Sequence, residues 1–365
     1  MTPAARHLPL LLGGALSLVG LGLGVFGPRL FAPAPTASSV PGPAPTSPAL
    51  SEPPSAAPSA EPAATPDPET APVIGELVSE AGRDAHALAV IGDRLVWLET
   101  TPARLTALPL AGGPPQTLYE SDVAEAYGGA FAAGETGVAF SIGLPDDGPE
   151  PVLLLTKDAL VRHEAPTILR GATSPDHFVF AGAELYFADL GRLATVDEGA
   201  LVEVATLDRR IASLTSCHDH LYWLDADYAE RDRDRLMARA LRGEEASRRI
   251  AQLPHDLSRS DLHCLGDSLI WLDDAGIHRL ARDGSGEPRR LVATSPVSAL
   301  TVVDGRLLWA ELHGPEEARE SVLRESNAAG EIRTLGKSPG VVTALAARES
   351  TLYWAGPRGI QRHTP

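Results

Sequence analysis

A short apolar cluster ending in a large aromatic ring recurs seven times along this chain. Five copies end in tryptophan: Leu95-Val96-Trp97, Leu221-Tyr222-Trp223, Leu269-Ile270-Trp271, Leu307-Leu308-Trp309 and Leu352-Tyr353-Trp354. Two end in phenylalanine, Val138-Ala139-Phe140 and Leu185-Tyr186-Phe187. Successive rings are 43, 47, 36, 48, 38 and 45 residues apart. A period of that size is long enough for one four-stranded sheet and is the spacing of radially repeated sheets.

The surroundings of each ring repeat as well. An apolar strand precedes it, as in Ala87-Leu88-Ala89-Val90-Ile91 or Ala299-Leu300-Thr301-Val302-Val303. A tight turn follows, Gly92-Asp93, Gly266-Asp267 or Asp304-Gly305, pairs that suit the positive φ angles of two-residue hairpins. A third strand such as Gly276-Ile277-His278-Arg279-Leu280 and a short outer strand such as Gln116-Thr117-Leu118-Tyr119 complete a meander of four. Sheets packed face to face around an axis leave a wedge that widens outward, and a buried ring of roughly 150–250 Å² fills it. All seven aromatics therefore read as packing residues.

The pattern predicts an all-β, seven-bladed β-propeller over residues 73–365. Six blades is the alternative, because the second repeat is divergent. The last repeat ends without an outer strand, and the unassigned Val73-Ile74-Gly75-Glu76-Leu77-Val78-Ser79 is expected to supply it. That would leave no exposed edge at the seam. Leu221-Tyr222-Trp223-Leu224-Asp225 and Leu352-Tyr353-Trp354 resemble the YWTD-type propellers of lipoprotein receptors and bacterial relatives of that kind. The resemblance covers about residues 84–363 and implies a blade rather than a function. It departs from the receptors in blade number and in keeping chiefly the Tyr-Trp half of the motif.

Two segments precede the repeats. Leu8 to Phe26 is an uncharged apolar run of 19 residues after Arg6 and His7. As a helix it could cross a hydrocarbon layer of roughly 30 Å. Residues 1–32 are therefore a retained signal-anchor or a cleaved signal peptide, and both place the rest outside the cytoplasm. Residues 33–72 are rich in Pro, Ala and Ser and carry too little apolar volume for a core. At about 3.1 Å per residue such a disordered linker reaches on the order of 100 Å. The expected location is a bacterial envelope, on the periplasmic or extracellular side.

A formal net charge of −17 argues against nucleic acid as a partner. The sequence contains no G-x-S-x-G elbow, no H-E-x-x-H, no P-loop and no G-x-G-x-x-G after a strand, so no catalytic residues are assigned and no cofactor is implied. The two cysteines, Cys217 and Cys264, fall on inner strands of adjacent blades with opposite parity. They are a candidate disulfide outside the cytoplasm, or else buried free thiols.

Long loops gather on one face: Leu144 to Glu150, Asp225 to Arg235 and His313 to Glu320. Rigid scaffolds bind through such loops. Candidate binding residues there are Tyr228, Arg231 and Arg233, with His86, His177, Arg210, Asp261 and His263 at the channel mouth beside Asp176 and Arg209. Their offsets from the blade aromatic differ, so no metal site is assigned. The sequence thus supports a non-enzymatic binding or scaffolding module with a protein or peptide partner, membrane-held through residues 8–26. The alternative is a periplasmic hydrolase or lyase using the polar mouth.

Overall fold

The structure, a computed structural model, describes residues 70–123, 125–144, 150–169, 171–226, 234–243, 245–253, 261–273, 275–292, 296–327 and 330–364. The apolar run at 8–26 and nearly all of the Pro-rich tract lie outside the described residues, as do Tyr228, Arg231 and Arg233. Among the described residues no helix is long and apolar enough to cross a membrane.

Seven four-stranded antiparallel sheets follow one another along the chain. They occupy residues 85–120, 127–169, 175–206, 210–252, 262–292, 297–339 and 344–363, numbered here as blades 1 to 7. The first strand of each blade contacts the first strand of the next, and Ala344–Arg348 of blade 7 contacts Ala85–Ile91 of blade 1. The chain is a closed seven-bladed β-propeller. The divergent second repeat forms a full sheet with a short helix, Lys157–Arg162, between its third and fourth strands. Six blades are thereby excluded.

All seven repeat aromatics are at most 2% exposed. The pairing register explains why. Each sits directly opposite a large apolar residue of the inner strand: Leu88, Phe131, Phe178, Leu214, Leu262, Leu300 and Leu345 in blades 1 to 7. A cross-strand pair of large apolar groups is the packing unit of a sheet, and its repetition builds one apolar cluster per blade junction.

Two residues beyond the ring, where strand alternation brings the chain back to the same face, five blades carry an acid. Each meets a base on the third strand: Glu99 with Arg104 at 3.4 Å, Asp189 with Arg192 at 3.0 Å, Asp273 with His278 at 2.9 Å, Glu311 with Arg324 at 2.9 Å, and Asp225 with Arg235. The same acid makes further bonds close by. Asp189 accepts from the backbone N–H groups of Thr173 and Ser174, at 2.8 and 2.7 Å, on the loop entering blade 3. Trp309 donates its indole N–H to Glu311 at 2.7 Å. Blades 2 and 7 have Ile142 and Gly356 at this position and lack the clasp.

At the seam, Glu76–Ser79 pairs antiparallel with Gly359–His363 as the outer strand of blade 7. Arg362 bonds Glu76 through both Nε and Nη2, at 2.9 and 3.1 Å. Just before it, Ile74 donates to the carbonyl of Lys337, and Lys337 donates back to Pro72, on the outer strand of blade 6. The turn between the two pairings needs Gly75, whose φ is +116° and whose missing Cβ would lie 2.6 Å from the Trp354 ring. Thr343 donates to the Ala85 carbonyl, and Arg348 to that of Gly92, across the same seam. Cys217 and Cys264 form a disulfide that joins the inner strands of blades 4 and 5, Cα atoms 5.5 Å apart.

Candidate functional site

Inner strands enter from the loop-rich face, and five of them begin with a break in register. In blade 2 it lies between Gly128 and Phe131; in the others the extra residue is His86 in blade 1, His177 in blade 3, Ala212 in blade 4 and Ser298 in blade 6. A bulge re-aims its side chain and breaks the alternation a sequence reader would extrapolate. His177 takes φ of +49° there.

The bulges send the histidines to different tasks. His86 donates from Nε2 to the Gly129 carbonyl, 2.9 Å away in blade 2. Gly128 leaves room for the ring, since a Cβ on it would lie 2.7 Å from His86 Cε1. Burial holds the His86 imidazole below its ordinary pKa, partly offset by that hydrogen bond. His86 is thus a strut between blades 1 and 2, spoken for by Gly129, and it does not join a cluster with His177 and His263.

The remaining candidates do converge, on blades 3 to 5. Arg210 donates to Asp176 at 2.9 Å. His177 lies within the field of Asp176, Asp261 and Arg210, and His263 within that of Asp261. Burial outweighs the nearby carboxylates and holds both imidazoles below the usual range, so both are neutral at pH 7. Glu150 belongs here too, its carboxyl pushed up by burial and then by Asp176. Among the described residues no group of three or more His, Cys, Asp or Glu is placed to hold a metal ion. The His218-Asp219-His220 run lies away from this cluster, with His218 at φ +53° in the first hairpin turn of blade 4.

Two cavities adjoin the cluster. One, of about 320 Å³, lies on the loop-rich face between blades 3 and 4 and is lined by Ser174, Asp176, Leu190, Leu207, Asp208 and Arg210 among others. Leu190 is 75% exposed at its rim and is held at φ +35°, a conformation that a leucine seldom adopts. The other is the central channel, about 460 Å³. One level of it is a belt of register-equivalent residues, each one step past the residue that faces the blade aromatic. In blades 7, 1, 2 and 3 the belt is Ala346, Ala89, Ala132 and Val179; in blades 4, 5 and 6 it is Thr215, His263 and Thr301. The channel is therefore apolar on one side and polar on a contiguous arc. The Nε2 atom of His263 is buried without a hydrogen-bond partner.

Sequence reading named the histidines, Arg210 and Asp261 but missed Leu190, Glu150, Thr215 and Thr301. The two threonines were legible only as the residue after the inner-strand leucine in the fourth and sixth repeats. Leu190 had a local signal, an apolar residue between Asp189 and Gly191 at a turn.

No protein-family model matches the sequence, and no curated protein matches it. Solved structures do. PorZ, a bacterial surface component of the type-IX secretion system of Porphyromonas gingivalis, matches with a TM-score of 0.54 and 16% identity over 77% of this chain and 37% of that one. A puromycin-hydrolyzing peptidase of Mycobacterium tuberculosis matches at 0.52 and 17% over 78% and 51%. The extracellular domain of BT4673 from B. thetaiotaomicron, a putative one component system, matches at 0.55 and 11% over 80% and 40%. The chain spans just over a third of PorZ, about half of the peptidase and two-fifths of the BT4673 domain. At these identities the likeness is one of fold, a β-propeller.

Proposed function

We propose that this propeller is a non-enzymatic binding module held at the outside of a bacterial envelope, and that its loop-rich face at blades 3 and 4 takes a protein or peptide. Leu190 carries the reading. A leucine at positive φ, three-quarters exposed, beside a pocket with apolar walls and a charged rim, costs conformational energy and hides no apolar surface. Burial under a partner would recover both. Surface and extracellular propellers such as PorZ and BT4673 share the fold and agree with the setting. Residues 8–26 are the proposed anchor or signal, and residues 33–72 the proposed spacer. The acid two residues after the ring in five blades extends the resemblance to YWTD-type repeats, a kinship that we also propose.

The test is crosslinking of the soluble ring to envelope extract, in parallel with Leu190→Asp. An exposed site tolerates this change, so the variant should stay folded. A partner captured by the wild type and lost in the variant supports the reading; no partner, or equal capture by both, removes it. The competing reading is an envelope hydrolase or lyase at the channel mouth, favoured by two neutral histidines beside Asp261 and by the peptidase among the similar structures. It requires that His177→Ala and His263→Ala abolish a measurable hydrolysis.

A further inference from the structure

The channel is separate from the Leu190 pocket and asks for a different ligand. Its belt places three polar side chains side by side, Thr215, His263 and Thr301, against a wall of alanine and valine. Water alone would satisfy the polar arc but leave the apolar wall wet. A peptide strand would need backbone partners that small apolar side chains cannot give. The shape and chemistry suit a small molecule with one apolar body and one polar end, in a volume typical of ligand sites.

The polar end is a hydrogen-bond donor. In its Nδ1–H tautomer neutral His263 accepts at its unpartnered Nε2, and threonine hydroxyls accept as well. Two residues before His263 stands Asp261, whose carboxylate acts on the His263 ring, and Asp176 lies at the same mouth with Arg210 already bonded to it. A carboxylate ligand would be repelled by Asp261. An ammonium would be attracted by Asp261 and could donate to each member of the arc. We propose that the central channel binds a small amphiphilic amine, its ammonium held by Asp261 and the Thr215–His263–Thr301 arc and its apolar body against Ala89, Ala132 and Ala346.

The experiment is calorimetric titration of the intact ring with octylamine, octanoate and octanol, at concentrations below micelle formation. Octylamine is expected to bind saturably with one site and at least about tenfold more tightly than octanoate, the factor that one charge-assisted hydrogen bond supplies. Asp261→Asn, at an exposed position that folding does not depend on, should erase that preference. Ala346→Phe should block all three probes while near-ultraviolet circular dichroism shows a native ring. If Ala346→Phe misfolds, Thr301→Val serves instead and should weaken octylamine alone. Absence of saturable octylamine binding, equal binding of octanoate, or an unchanged preference in Asp261→Asn overturns the proposal. Leu190-dependent capture of a protein partner would be untouched by any of these results, so the two readings fail separately.

Discussion

Glu311 and Arg324 are 5% and 2% exposed at the side chain and bond each other at 2.9 Å. Glu311 also holds the Trp309 indole. Removing one member of such a pair leaves a buried charge without its counter-ion, which typically costs about 3–5 kcal/mol. Glu311→Ala should lower the urea midpoint accordingly, whereas Arg162→Ala, which pairs with Glu164 at the surface, should cost far less. The histidines give a pH signature. His86, His177 and His263 all resist protonation in the native ring because they are buried. The unfolded chain takes up those protons near the ordinary value of about 6.5. The unfolded state thus binds more protons below that pH, and stability falls as pH drops from 7 toward 5. His177→Asn removes one titrating ring while tolerating the positive φ; its stability should decline less steeply with acid in urea titrations, and parallel curves would count against this account. At this scale the sequence was only partly readable. Trp97 through Trp354 announce themselves by period, but whether His86 props a neighbour or joins a cluster depends on a bulge that alternation cannot foresee.

Elements were easier to read than residues, because each strand answers to two local signals, an apolar alternation and a Gly- or Asp-bearing turn. The meander of 262–292 could be written from Leu262, Gly266-Asp267, Trp271 and Gly276. The helix Lys157–Arg162 was not, since its six residues are too few to show a helical period; Thr156 caps it by accepting from the Ala159 N–H at 3.1 Å. The strand Glu76–Ser79 is exposed along half its length yet shields Ile360 and Trp354, both fully buried. Its removal would uncover them and open the edge of Gly359–His363. A ring lacking residues 73–80 is expected to melt at a distinctly lower temperature in scanning calorimetry, and an unchanged melting temperature would show that this strand contributes nothing to closure.

The whole ring is one cooperative object only if every junction holds. Seven junctions share the work, and two carry special fastenings. Blade 7 meets blade 1 through Thr343, Arg348 and a shared apolar cluster containing Leu88, Trp97, Tyr353 and Ile360. Blades 4 and 5 are bonded covalently through Cys217 and Cys264, which are 47 residues apart in sequence. A loop of that length lowers the entropy of the unfolded chain by an amount worth up to about 4 kcal/mol. The double substitution Cys217→Ala with Cys264→Ala should show a loss of that order or less in urea unfolding, with no loss pointing to structure already present in the denatured chain. Ring order was legible from spacing because a radial repeat has only nearest-neighbour contacts, while blade number stayed between seven and six because the second repeat is divergent. The channel's polar arc was not, since it exists only when seven inner strands are set in register.

The segment Pro72–Ile74 lies against the rim of blade 6 before the chain crosses to edge blade 7. Any pull delivered along the chain from its N-terminal side therefore reaches the propeller at its own clasp. Such a load would peel Ile74 from Lys337 first and strain Glu76 against Arg362 next, and the molecule would part like a split key ring, pivoting where sulfur is bonded to sulfur almost diametrically across from the gap.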